Sequence, residues 1–191
     1  MEWSRSARHR SMSCSTPDAT TVPAQASASL GYSIAPVTSD EELATLEQDW
    51  NRLSESAELP NIFMTFDWFR TWNQGYACGD RSGQRRLQIL VLKKGGAITG
   101  ISPLVYTVDH RGGLSLRKVR FLEIGADYSD LVVGNDLAGQ AEAVMDFLAQ
   151  TRDQWDIVDL TYLRDAGDVF PAIERALLSH PSSDTLPLRR D

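Results

Sequence analysis

Cysteine, histidine and unbroken apolar runs are the scarce features of this sequence, and each scarcity removes a class of function. Only two cysteines occur in 191 residues. Cys14 and Cys78 do not make a disulfide framework, which fits a reducing compartment and a cytoplasmic protein. The three histidines, His9, His110 and His180, are too scattered for metal-ligand spacing. His110 reads as part of a turn. His180 reads as the end of a helix, where a cation is favoured. No metal site is expected. No apolar run approaches the roughly 20 residues that span a bilayer, and the N-terminus lacks a secretory apolar core. Basic charge is also short: 19 Lys and Arg face 26 Asp and Glu, for a net charge of -7. A nucleic-acid partner is not expected, because backbone phosphates call for a basic stripe. The cluster Arg5, Arg8, Arg10 lies in a tail. Phosphate-loop and dinucleotide-binding glycine patterns are missing. Gly100-Ile-Ser-Pro-Leu104 fails the nucleophile-elbow pattern at its last position.

What is present divides the chain in two. Residues 1–30 are rich in Ser, Thr, Ala and Pro and poor in large aliphatics. Such a segment buries too little surface to offset its ordering entropy, so a disordered extension is expected. A single domain is expected over 31–191. Tyr32, Ile34 and Val37 read as a short strand. Ser39-Asp-Glu-Glu42 is a capping-box pattern, followed by Leu43, Leu46, Trp50 and Leu53 at helical spacing over about four turns. Thr65 can cap a second helix bearing Phe66, Trp68, Phe69, Trp72 and Tyr76. Its apolar residues fill more than one stripe, so burial on two sides is expected, with Trp72 a packed core residue.

Three strands follow. Leu87–Leu92 is a nearly continuous apolar run of the kind buried on both faces. Gly95-Gly96 signals a hairpin, and the return strand runs from Ala97 to Val108. The apolar phase slips around Gly100, which predicts a bulge, and Pro103 needs an interrupted ladder. Arg111-Gly-Gly113 turns into a third strand through Val119, Phe121 and Ile124, which Asp130–Val133 continues or pairs with. A helix over Ala138–Arg152, a strand over Asp156–Leu163 and a helix over Val169–His180 complete the order. The fold class is α/β.

Two local features are candidates for function. The aromatic cluster Phe63, Phe66, Trp68, Phe69, Trp72, Tyr76 reads first as core packing, and alternatively as a pocket wall or docking face. The acidic loop Asp127-Tyr-Ser-Asp130 reads first as a self-satisfied turn, and alternatively as a site for a cationic acceptor. Cys78 reads as an inert thiol.

Four segments carry a family resemblance. Phe63-Met-Thr-Phe-Asp-Trp-Phe-Arg-Thr-Trp72 resembles an early segment of CelD-like (cellulose biosynthesis) GNAT proteins. Gly96-Ala-Ile-Thr-Gly-Ile-Ser-Pro-Leu104, Arg120-Phe-Leu122 with Tyr128-Ser-Asp-Leu-Val-Val133, and Trp155-Asp-Ile-Val-Asp-Leu160 resemble three later ones, in the same order. The resemblance covers residues 32–180. It implies a GNAT-like fold: a mixed central sheet with an antiparallel meander, flanked by helices. It also implies a chain about twice as long, with two such lobes in tandem as in Fem-type aminoacyl transferases. The intact enzyme would transfer an acyl group from acetyl-CoA or another acyl-CoA to a small-molecule amine, such as a sugar or polysaccharide precursor. The acyltransferase signature belongs to the second lobe. This chain would then be a truncated product or half of a split protein, partnered by a second lobe or by itself.

The stretch that would cradle a CoA pyrophosphate is Val133-Gly-Asn-Asp-Leu-Ala-Gly-Gln140. Anion capture needs backbone N–H groups at a helix start, with glycines for close approach. Here the two glycines are spaced differently, no Arg or Lys is present, and Asp136 stands where the phosphates would come. No cofactor is therefore expected on this chain, and no catalytic or cofactor-binding residue is carried over. A degenerate domain acting alone as a binding or scaffold module is the alternative.

Overall fold

The computed structural model describes residues 25–27, 31–57, 60–79, 85–121, 127–164 and 169–179. Strands β1 (Gln25–Ser27), β2 (Tyr32–Val37), β3 (Arg85–Lys94), β4 (Ala97–Arg111), β5 (Leu114–Phe121), β6 (Val133–Gly134) and β7 (Ile157–Asp159) form one sheet. Its order is β1-β2-β3-β4-β5-β7, with β6 beside β4. Neighbours are antiparallel, except that β5 and β7 run parallel. Helices α1 (Asp40–Thr45), α2 (Glu47–Glu55) and α3 (Phe66–Gly79) belong to one face, and α4 (Leu137–Gln150) and α5 (Val169–Ser179) to the other. The fold is a mixed α/β sheet with an antiparallel meander flanked by helices, as expected.

The nearly continuous apolar run in β3 is explained by two cores. Leu87, Ile89 and Val91 enter the cluster under α1–α3, while Leu90 and Leu92 enter the one under α4 and α5. A central strand covered on both faces is apolar nearly throughout, and here only Gln88, itself buried, interrupts the run from Leu87 to Leu92. Gly95 and Gly96 both have positive φ, 59° and 85°, as a two-residue turn matched to strand twist requires. Gly112 and Gly113 repeat the arrangement. The bulge lies where the slipped phase places it: Leu92 pairs with Gly100 and Lys93 with Ile98, so Thr99 is the extra residue. Pro103 falls between the β5 pairing, which ends at Leu104, and the β6 pairing, which begins at Ile101. That gap in the ladder tolerates a residue without an N–H.

Several expectations need correction. The boundary at residue 31 cuts off Gln25–Ser27, which pair with Tyr32–Ile34. The four-turn helix is broken at Leu46, whose ψ of -8° departs from helix. The β-branched Thr45 donates its hydroxyl to the carbonyl of Glu42 at 2.7 Å, a local bond that competes with helix continuation. Ser39 does cap α1, but Glu42 reaches the N–H of Thr38 rather than that of Ser39. Asp130–Val133 neither continues nor pairs with β5. Instead Val133–Gly134 joins β4. The strand expected over Asp156–Leu163 is reduced to Ile157–Asp159 because a turn at Thr161 and Tyr162 interrupts it. The helix with aromatics on two sides is buried along one: Phe66 and Phe69 are enclosed, whereas Trp68 and Trp72 are half-buried. Ile124, His9, His180, Cys14 and the Cys78 side chain lie outside the described residues.

Candidate functional site

The start of α4 is the place to look for an anion site, since its first N–H groups lack helical partners. One of them is already engaged. Asp136 is the cap, and its carboxylate accepts from the N–H of Gly139 at 3.1 Å. Its other oxygen accepts from the Tyr32 hydroxyl at 2.6 Å, and Lys94 Nζ stands 3.8 Å away. The Tyr32 bond, the Gly139 N–H and Lys94 hold the Asp136 carboxyl below its usual range, against the opposing effect of burial. Burial and the facing carboxylate push the Tyr32 hydroxyl up to about 12. The cation missing from the local sequence thus arrives from β3, and it is spent on Asp136. Behind the cap, the buried Gln140 donates to the carbonyl of Thr99 at 2.7 Å and holds the bulge. Its amide leaves no room for a side chain at Gly100 or Gly134.

In open α/β sheets, ligands gather outside the carboxyl ends of strands, where the topology switches. Here the switch is the β5–β7 pair. Beyond it Ser129 bridges to Leu163. Ser129 N–H donates to Tyr162 O at 2.8 Å, and Arg164 N–H donates to Ser129 O at 2.8 Å. The rest of the loop divides in two. Asp130 turns inward: Arg164 grips it with Nε and Nη2, each at 2.7 Å, and Asn61 Nδ2 adds a third bond at 2.9 Å. Asp127 and Tyr128 face outward and are exposed. The expected self-satisfied turn is therefore held by distant residues, and only its first half is available to a cationic ligand.

Around this pair lies a row of rings. Tyr128 meets Phe63 edge-on at 5.4 Å, Phe63 meets Trp68 at 5.0 Å, and Trp68 meets Trp72 at 5.7 Å. Arg164 lies over the Tyr128 ring at 5.5 Å. A cleft between the end of α2 and this loop is lined by Ser54, Asn61, Met64, Asp130, Asn135 and Arg164 among others. Its volume is about 40 Å³. That is room for roughly three water molecules.

Tyr162 is the one non-glycine residue with positive φ among the described residues, at 59°, and the residue is 62% exposed. A left-handed conformation costs a residue with a Cβ roughly 1 kcal/mol or more. Tyr162→Gly is expected to raise stability by about 0.5–1 kcal/mol, roughly 1–3 °C in Tm. A fall in Tm by differential scanning calorimetry would show that the ring is holding the fold.

No group of His, Cys, Asp and Glu suited to a metal occurs among the described residues. No helix there is long and apolar enough to cross a membrane. Sequence reasoning singled out Asp136 and the 127–130 loop but missed Tyr32, Lys94, Asn61, Tyr162 and Arg164. Each of the five is far in sequence from the group it meets or lies beside; the register of β2 with β3 sets Tyr32 opposite Lys94, and tertiary packing brings in the others.

The sequence matches no protein-family model and no curated protein. Among solved structures, a transcriptional regulator from Bacillus halodurans C-125 aligns over 84% of this chain and 99% of that one, at 12% identity and a TM-score of 0.43. A likeness that low carries no functional argument.

Proposed function

We propose that this chain is the non-catalytic, N-terminal lobe of an acyl-CoA-dependent N-acyltransferase of the CelD-like GNAT kind. In this reading it shapes the acceptor side of a cleft and packs against a second lobe that binds the thioester. The observation that carries the reading is the start of α4. Where a CoA-binding lobe would present free N–H groups, this one has its own carboxylate, bonded to Gly139 and Tyr32. Acyl transfer to an amine needs a base to deprotonate the nucleophile and donors to polarise the thioester carbonyl. The reading leaves both to the second lobe. The exposed rings at the carboxyl end of β5 and β7 supply a surface that such a lobe can cover.

Calorimetric titration of the purified chain with acetyl-CoA tests this. No saturable binding is expected. A Kd in the low micromolar range, about -8 kcal/mol, would overturn it, because the phosphates would then have displaced Asp136.

A further inference from the structure

We propose that one flank of α3 is a self-association surface, on which a second copy of this chain packs its own α3 antiparallel about a two-fold axis. The flank is the stripe Trp68, Trp72 and Gly75, and the partner that fits it is the same stripe.

The starting point is a glycine that the fold does not use. Gly75 lies inside α3, in ordinary helical backbone without a positive φ. It is exposed, and a Cβ placed there would meet nothing within 4 Å. Glycine is among the poorest residues for a helix interior, and no turn or close neighbour within the chain requires it here. Spacing of i, i+4 and i+7 sets Trp68, Trp72 and Gly75 on one stripe. Both indoles are half-buried, so this stripe is the flank of α3, while Phe66 and Phe69 form its enclosed face. The flank therefore presents a large ring and, two turns on, a notch without a side chain, which lets another backbone come close. Self-complementarity names the occupant. Trp68 and Gly75 lie equally far along the helix from the midpoint between Thr71 and Trp72. A second α3, running antiparallel about a two-fold axis through that midpoint, sets each copy's Trp68 over the other's Gly75, so one good contact is made twice. Thr71, the exposed residue beside the stripe, is uncharged, so the axis brings no like charges together. The patch continues past the helix: Phe63 meets Trp68 at 5.0 Å and Tyr128 at 5.4 Å, and Ile62 is 65% exposed. Two turns of helix with this margin cover less than the roughly 800 Å² per partner of a standard stable complex, so the dimer is weak, with a Kd of roughly 0.1 mM.

Sedimentation velocity of the full chain, over concentrations about ten-fold either side of that Kd, tests the surface. The unsubstituted chain is expected to follow a monomer–dimer equilibrium that stops at the dimer. Gly75→Gln fills the notch and should weaken association at least about ten-fold. The same variant should raise the Tm of the dilute chain by about 1–3 °C, because a good helix former replaces glycine. Opposite signs in the two measurements separate an interface role from a folding role. Trp68→Ala should also weaken association, whereas Leu178→Ser, at an exposed apolar residue of α5, should leave it unchanged. A monomer at every concentration, growth past the dimer, or association indifferent to Gly75→Gln would each overturn the proposal. The interface stands without the acyltransferase reading. Association that ignores Gly75→Gln sinks the interface and leaves that reading in place, whereas uptake of acetyl-CoA by the chain sinks that reading and leaves the interface in place.

Discussion

Replacing Trp50 with alanine is expected to cost about 3–5 kcal/mol, a large share of the roughly 5–15 kcal/mol that holds an ordinary domain folded. Trp50 is fully enclosed. Its ring packs on Phe66 at 5.8 Å and Phe69 at 5.2 Å. Its indole N–H donates to the carbonyl of Met64 at 2.7 Å, so truncation leaves both a cavity and an unpaired acceptor. Trp72 is the comparison. It is half-buried at the margin of the same cluster and leans edge-on against Trp68. Trp72→Ala is expected to cost about 1–2 kcal/mol, since part of its surface is already wet. Urea unfolding of both variants checks the order. Equal losses, or a larger loss at Trp72, would mean that the core under α3 is centred elsewhere.

The second large effect is expected at Asp130. Its carboxylate joins three parts of the chain that are far apart in sequence: Asn61 from the turn before α3, Arg164 from the segment before α5, and its own loop. Side-chain exposures of 12% for Asp130 and 22% for Arg164 mean little screening by solvent. Asp130→Ala leaves Arg164 without this carboxylate and Asn61 without its acceptor, and is expected to cost about 3 kcal/mol. Arg164→Ala should cost a similar amount. The double variant should lose less than the sum by at least about 1 kcal/mol, the mark of direct coupling. Additive losses in a double-mutant cycle would show that the two residues act separately.

How much was legible beforehand depended on whether a feature is local. The apolar run of β3, the two glycine pairs and the slipped phase at Gly100 report on the residue itself and its next neighbours, and each stands where the pattern places it. The strand over Asp156–Leu163 failed because alternation cannot register a left-handed residue: nothing about Tyr162 as a residue type announces φ of 59°. The partner of Asp130–Val133 was misread for a related reason. The segment is apolar enough to be a strand, but its neighbour is set by the gap that β5 leaves along β4. Long-range polar pairing was the least visible part. Asp136 was noticed as an unsuitable residue for a phosphate loop, but its bond to Tyr32 spans 104 residues. No window along the sequence contains both.

The claim that this lobe is half of an enzyme is tested most directly by sedimentation velocity of the isolated chain across a wide concentration range. Ile62, Tyr128, Ile157 and Tyr162 are all exposed large side chains, and in the proposed enzyme the second lobe would cover some of them. Alone, the chain should self-associate, with a weight-average mass that climbs above the monomer as concentration rises. A single monomeric species at every concentration would contradict the half-enzyme reading and favour a module that works by itself.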